Sequence, residues 1–327
     1  MKKLIFAASI LLVVAACKSK TEDTAASTVG QTQPLPMAFP EPKVNIKTVG
    51  ILLYDNYAIL DAMGPYHVFS ELMGAKVFFV GRHKGLITTG NGMKVQCDSS
   101  ITDVKQLDIL VIPGGLNETF TATKDTTLLN WIRVIDKQSK YTTSVCTGAW
   151  ILAATGLLKD QKATTHWFAK QLLKDRFGVS SENRRYVKSG KYWTSAGVSA
   201  GIDMSLAVIN DIMGEKYTQM VMLDLEYDPR PPVKGGSEKN TDKNIVEEMR
   251  SMYNGAIAPL IGVQSAAAKI KIDNGRDPVC GMSLSAGYAD TTAYKGKVFG
   301  FCSAMCKTGF KKNPASYAQT VQDHPAK

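Results

Sequence analysis

The sequence predicts an α/β domain, a parallel sheet with helices on both faces, followed by a small cysteine-rich module. Three observations carry this. Apolar runs of strand length alternate with stretches of helical period, the order expected of parallel strands joined by crossover helices. One run, Tyr141–Val145, ends on Cys146 with Thr147 and Gly148 behind it, a strand, a sharp turn and a helix start. Near the C-terminus, Cys280, Cys302 and Cys306 recur in the pattern Cys-x21-Cys-x3-Cys.

The elements follow in order along the chain. Thr48–Tyr54 is an apolar run expected to be a buried strand, and Gly64–Met73 a short amphipathic helix. Lys76–Val80 and Leu107–Ile112 are further strands, the latter closed by Pro113, Gly114 and Gly115. Leu128–Gln138 has helical period, Tyr141–Val145 is a strand, and Thr147–Thr155 a helix. Beyond Gly178, Arg184–Thr194 reads as a polar hairpin, with helices over Ser199–Met213 and Glu215–Glu226. The breaker-rich segment Asp228–Gly236 marks a boundary. A charged helix near Asn244–Met252 and an alanine-rich stretch lead into the last unit. The expected organisation is a leader over 1–16, a tether over 17–43, the α/β domain over 44–227, a linker over 228–275 and the cysteine module over 276–320.

The first residues read as an export signal: Lys2 and Lys3, an apolar stretch from Leu4 to Val14, then Ala15 and Ala16 as a cleavage site. Val14–Cys17 also resembles a bacterial lipobox, in which the cysteine becomes the lipid-modified N-terminus. Cys17 is therefore the expected lipidation site, and several acyl chains meet the requirement for stable anchoring. The expected location is lipid-anchored and facing the periplasm. Lys18 after the cysteine favours the outer membrane over the inner. From Lys18 to about Lys43 the chain is polar and proline-containing, the composition of a flexible tether.

With 39 Lys and Arg against 29 Asp and Glu the formal net charge is +10. That surplus favours anionic surfaces, but no reading helix or basic-aromatic groove accompanies it, so nucleic acid is not an expected partner. Of six cysteines, removing Cys17 leaves an odd number, so at least one thiol in an oxidising compartment is free, blocked, metal-bound or catalytic.

Cys146 is the expected nucleophile. A cysteine at a strand-to-helix turn, in the pattern Ser144-x-Cys146-x-Gly148, exposes its sulfur, and the helix N-terminus beside it is expected to favour the thiolate. Backbone amides after Cys146, together with the Gly114-Gly115 turn, are expected to form an oxyanion hole. Asp61, a few residues past the first strand, belongs at the same carboxyl edge of the sheet, where open α/β sheets carry their sites. It could equally cap a helix.

These segments resemble the ThiJ/PfpI superfamily (class I glutamine-amidotransferase-like, a flavodoxin-like α/β fold), with the best match in its isonitrile hydratase-like branch. The resemblance rests on Ser144–Ala149, Leu152–Lys159 and Ala163–Trp167 with Leu60–Phe69, Ile112–Gly115 and Thr194–Asp203, and covers about Val44 to Tyr227. It implies that Asp61 lies beside Cys146 and that both, with Thr147, add water across an isocyanide to give an N-substituted formamide. Either a Cys146 thiolate or an Asp61-activated water attacks the isocyanide carbon, with a proton delivered to that carbon. It further implies no cofactor for this domain, a small-molecule substrate and a homodimer. Thr147, not a histidine, follows Cys146, which argues against a Cys-His protease. His166 matches a site-adjacent histidine of the superfamily, either tuning Cys146 or holding backbone. His67 is expected to be structural, and Cys97 has no assigned role. The superfamily's regulators add a helix-turn-helix unit; nothing after Tyr227 resembles one.

The segment from Asp277 to Tyr317 resembles a YHS domain, which implies heavy-metal handling. If a helix starts at Ser303, Cys302 and Cys306 share a face and can meet one ion with Cys280. Thiolates suit copper(I) or zinc. A disulfide between two of the three is the competing reading, and His324 the sole histidine nearby. The other activities compatible with such a site are glyoxalase- or deglycase-like chemistry on reactive aldehydes, or a non-enzymatic redox- or metal-sensing lipoprotein.

Overall fold

The computed structural model describes residues 39–258, 260–261, 270–284 and 288–318. The leader, Cys17, most of the tether and His324 lie outside the described residues. The strands of the first part are β1 Thr48–Leu53, β2 Lys76–Gly81, β3 Gly85–Thr88, β4 Lys94–Cys97, β5 Ser99–Ser100, β6 Ile109–Ile112, β7 Tyr141–Val145, β8 Tyr186–Ser189 and β9 Tyr192–Ser195. Seven of them form one sheet in the order β5-β2-β1-β6-β7-β9-β8, while β3 and β4 pair separately. All neighbours in the large sheet are parallel except β8 and β9. The predicted parallel α/β sheet is therefore present, and the Arg184–Thr194 hairpin becomes its antiparallel edge.

Period-two alternation explains why the sheet needs cover on both sides. Val49, Ile51 and Leu53 of β1 enter one core, and Leu52 enters the other. Likewise Ile109 and Val111 of β6 face the first core, and Leu110 and Ile112 the second. Helices α1 Ile59–Ser70, α6 Ala200–Met213 and α7 Glu215–Asp224 cover the first side. Helices α2 Asn117–Ala122, α3 Thr126–Asp136, α4 Gly148–Ala154 and α5 Lys170–Phe177 accompany the second. The α1 helix starts five residues earlier than the periodicity predicts, because Pro65 is tolerated within it. Gly64 eases its close packing on α6, where a Cβ would stand 3.0 Å from the Ile202 side chain and push it aside.

The linker helix α8 Lys243–Ile257 belongs to both parts: Ile257 enters the second core, and Met252 and Ala256 enter the core of the cysteine module. That module is a hairpin, β10 Asp290–Tyr294 with β11 Lys297–Phe301, followed by α9 Ala304–Lys312 and α10 Pro314–Ala318. Phe299, Phe301 and Phe310 are its buried centre. The described residues from Pro40 onward form one compact unit, so module and sheet domain are packed together. Among the described residues no helix is long and apolar enough to cross a membrane.

Candidate active site and thiol cluster

Cys146 closes β7 with φ +56°, a left-handed conformation that a non-glycine residue holds only when its surroundings impose it. Here they do. Its N–H donates to Ser195 and Ala196 carbonyls at 3.2 and 2.9 Å, and its carbonyl accepts Thr165 Oγ1 at 2.7 Å. The turn can continue into α4 only through glycine, since a Cβ at Gly148 would lie 2.2 Å from the Ile112 carbonyl oxygen. The first six residues of α4 are all buried, making a rigid base for the sulfur.

Asp61, fully buried in the first turn of α1, turns one carboxylate oxygen to the Gly114 N–H at 2.9 Å. A Cβ at Gly114 would stand 2.9 Å from Asp61 Oδ2 and 2.6 Å from Thr147 Oγ1, so this approach demands glycine. The other oxygen, Oδ1, is buried without a hydrogen-bond partner. The Cys146 thiol is close enough that each group shifts the other. Burial pushes the Asp61 carboxyl up to about 7, against opposing help from the Gly114 amide and the Cys146 thiol. Burial and the Asp61 charge push Cys146 well above an ordinary thiol, outweighing the Thr147 and Val198 amides that favour its anion. The expected thiolate is thus corrected: the dehydrating surroundings overcome the helix N-terminus, and the resting sulfur carries its proton. Asp61 does not cap α1 either; Ala58 occupies that position.

Thr147 Oγ1 accepts the Gly115 N–H at 2.9 Å and donates to the Gly115 carbonyl at 2.7 Å. The amides of Gly114 and Gly115, expected to face a developing oxyanion, are therefore turned to Asp61 and Thr147. The amides directed at the sulfur are those of Thr147 and Val198. Gly114 and Gly115 thus hold the Asp61 and Thr147 side chains in place. His166 lines the same cavity as Cys146, among Trp167, Phe168 and Tyr253. Burial, with Lys170 nearby, lowers its pKa to about 4, so it is neutral at pH 7 and offers the sulfur no cation. His67 is exposed on α1, and Cys97 is buried on β4 with its thiol donating to the Ser99 carbonyl at 3.2 Å.

In the C-terminal module, Asp277, Cys280, Cys302 and Cys306 bring one donor atom each within 4.8 Å of the others. The thiols are free, with Cys302 Sγ 3.5 Å from Cys280 Sγ and 3.6 Å from Cys306 Sγ. Ser303 caps α9 by accepting the Cys306 N–H, which fixes Cys302 and Cys306 together at the helix start. Asp277 frames the cluster: Oδ1 accepts the Val279 and Cys280 amides, and Oδ2 accepts the Cys302 amide at 2.7 Å. Hydrogen bonds from Cys280 and Cys302 draw the Cys306 thiol down, while those two are held up as thiols. Three convergent sulfurs, one already favouring its anion, fit a thiophilic ion such as copper(I) or zinc.

The DJ-1/PfpI family model matches residues 47–211, half of the chain. Isonitrile hydratase of Pseudomonas putida is 35% identical over 202 residues, which span 88% of that protein. The chain belongs to the DJ-1/PfpI family. Among solved structures, a ThiJ/PfpI family protein from Pseudomonas syringae superposes with a TM-score of 0.63 at 31% identity, covering 68% of this chain and 95% of that one. The transcriptional regulator GbdR of Pseudomonas aeruginosa is 23% identical over a region that is 51% of its length. The YHS domain model matches residues 276–321. The DJ-1/PfpI domain thus carries Asp61, Cys146 and Thr147, and the YHS domain carries the thiol cluster.

Three contributors escape the sequence. Asp277 is a donor of the cluster, and its place three residues before Cys280 is the signal of a side-chain-to-backbone turn. The Val198 amide reaches Cys146 across the fold. Tyr253 of α8 stacks on Phe168 at 4.3 Å and closes the DJ-1/PfpI cavity from the linker. Nothing in its local pattern marks it.

Proposed function

We propose that this chain is a hydratase of isonitrile-like small molecules, yielding N-substituted formamides. The observation that carries the reading is a Cys146 thiol that lines a cavity of about 350 Å³ and is backed by the buried Asp61 carboxyl, which burial holds near neutrality. Its likeness to the isonitrile hydratase of Pseudomonas putida, across 88% of that protein, supports it.

The chemistry follows from that pair. An isocyanide carbon accepts both a nucleophile and a proton, so a thiol with an adjacent carboxylate suits it. Asp61 takes the Cys146 proton as the sulfur bonds to the isocyanide carbon, then returns it to that carbon, leaving an enzyme-bound thioimidate. Asp61 takes a proton from water as its oxygen adds to the thioimidate carbon and passes that proton to the nitrogen; the remaining hydroxyl proton then goes through Asp61 to the departing sulfur as the carbonyl forms. The C–S bond then breaks, the sulfur regains its proton, and the formamide departs. The Thr147 and Val198 amides stabilise charge on the sulfur as it enters and leaves.

In the same reading the protein is exported and anchored by lipid at Cys17, and it functions as a homodimer. The YHS domain holds one copper or zinc ion through Cys280, Cys302 and Cys306, which would cross-link the module around the ion. Incubation of the protein with a simple alkyl isocyanide and, separately, with methylglyoxal tests the reaction. Formamide release that disappears in Cys146→Ala supports the hydratase. Turnover of methylglyoxal alone would move the chemistry to reactive aldehydes, and turnover of neither would leave a binding or sensing protein. Loss of palmitate labelling in Cys17→Ser tests the anchor.

A further inference from the structure

The cavity over Cys146 does not belong to the DJ-1/PfpI domain alone. Cys146, Thr147 and His166 line one side, and Arg276, Cys280 and Met282 of the YHS domain line another. The join between the two is polar and specific. Arg276 Nη1 donates to the Gly90 carbonyl at 2.7 Å and to the Gly281 carbonyl at 2.9 Å, and Nη2 donates to Asn56 Oδ1 at 3.0 Å. Asn56 in turn donates to Glu118 Oε1 at 2.9 Å, and Glu118 also feels the Arg276 charge. A second bond across the join runs from Asn117 Nδ2 to the Ser283 carbonyl at 3.2 Å. Gly90, Asn56 and Asn117 all lie on the sheet domain, at the rim of the cavity.

We propose that the YHS domain is the outer wall of the Cys146 pocket, with Arg276 as its latch, so that this module sets the upper size of the ligand reaching the sulfur. Arg276 is a positioning residue. Its guanidinium is engaged by three acceptors and holds the wall in place, where a free guanidinium would instead select an anion. The cavity volume, about 350 Å³, is at the low end for small-molecule sites. Its lining mixes polar Asn56, Asn117 and Thr147 with apolar Leu116, Phe168 and Met282, and its charged Glu118 and Arg276 are both engaged by Asn56, so it suits a compact uncharged ligand with a small apolar substituent. This deepens the hydratase reading by naming its substrate class, short-chain neutral isocyanides. It rests on that reading only for the ligand's chemistry, because the wall exists whether or not Cys146 turns anything over.

Alkylation of Cys146 in the full chain tests the wall without reference to turnover. Rates are measured at one alkaline pH with small iodoacetamide and with a bulky pyrene maleimide, and Cys146 is read by peptide mass mapping. In Arg276→Ala the ratio of bulky to small rates is expected to rise about tenfold, the population shift that follows loss of charge-assisted hydrogen bonds. Asn117→Ala should raise it less, and Arg276→Lys should fall between wild type and Arg276→Ala. Unchanged iodoacetamide rates and unfolding midpoints identify folded variants. A ratio within twofold of wild type in both Arg276→Ala and Asn117→Ala would overturn the proposal. If the ratio rises while no isocyanide is hydrated, the wall stands and the hydratase reading falls.

Discussion

The Gly114 amide donates to the Asp61 carboxylate at 2.9 Å, and this single bond sets the acid beside the sulfur. The amide fills one oxygen, leaving Oδ1 buried and unpartnered beside the site. A group so placed resists ionisation, because the Gly114 amide and the Cys146 thiol replace only part of the water it lost. The protein therefore holds a carboxyl that titrates near 7 next to a thiol that stays protonated.

That arrangement makes stability depend on pH. Asp61 is raised from 3.8 to about 7 on folding, so the native state binds its proton more tightly than the unfolded chain. Its contribution is full below pH about 4 and lost as pH climbs through 7, up to about 4 kcal/mol. The difference in unfolding free energy between Asp61→Asn and wild type should accordingly grow in the variant's favour from pH 4 to 7. Urea titrations across that range check it, and a difference constant with pH would refute the burial argument.

Catalysis should follow the opposite limb. If the Asp61 carboxylate takes the thiol proton, kcat/KM for an alkyl isocyanide rises with pH through about 7 and then levels. Asp61→Asn should lose about 10²-fold or more in rate, the usual contribution of a positioned acid-base group, and should also lose the rising limb. Cys146→Ala should leave no measurable turnover. A pH profile unchanged by Asp61→Asn would assign the proton transfer elsewhere.

Thr147→Val tests the clasp between the Cys146 turn and Gly115. The isosteric change deletes an acceptor for the Gly115 amide and a donor to its carbonyl. About 1–3 kcal/mol of stability should be lost, read as a lower urea midpoint, with kcat falling more than KM changes. An unaltered midpoint would show that the Gly115 groups find other partners.

Gly148→Ala should be more damaging. Its Cβ would meet the Ile112 carbonyl at 2.2 Å and the Pro113 carbonyl at 2.8 Å, both backbone, so relief requires separating β6 from α4. Loss of soluble protein, or a melting temperature lowered by roughly 10 °C, is expected for an insertion of this kind. Near-native melting would mean the turn is softer than its contacts imply.

The thiol cluster predicts one thiophilic ion per chain. Cys302→Ser, which removes the sulfur between the other two, should abolish copper or zinc retention after dialysis. Cys146→Ala should leave the metal content unchanged. Metal retained by Cys302→Ser would exclude the three-sulfur site.

Much of this protein is determined by local sequence. Val49, Ile51 and Leu53 alternate with Leu52 in a short run, and that period fixes a strand buried on both faces before any neighbour is known. Cys146 between a β-rich segment and Gly148 marks the sharp strand-to-helix turn because only certain residues survive those backbone angles. The spacing of Cys302 and Cys306 likewise marks two sulfurs that meet at a helix start, Cys302 just before the Ser303 cap and Cys306 in the first turn. Tertiary structure decided the rest. Protonation of Cys146 reflects desolvation summed over the whole site, which no helix-end rule contains. The Gly114 and Gly115 amides were committed to Asp61 and Thr147 by side chains arriving from α1 and from the turn before α4. Arg276 meets Asn56 across 220 residues of chain, a contact set by how two modules pack and invisible to any local pattern.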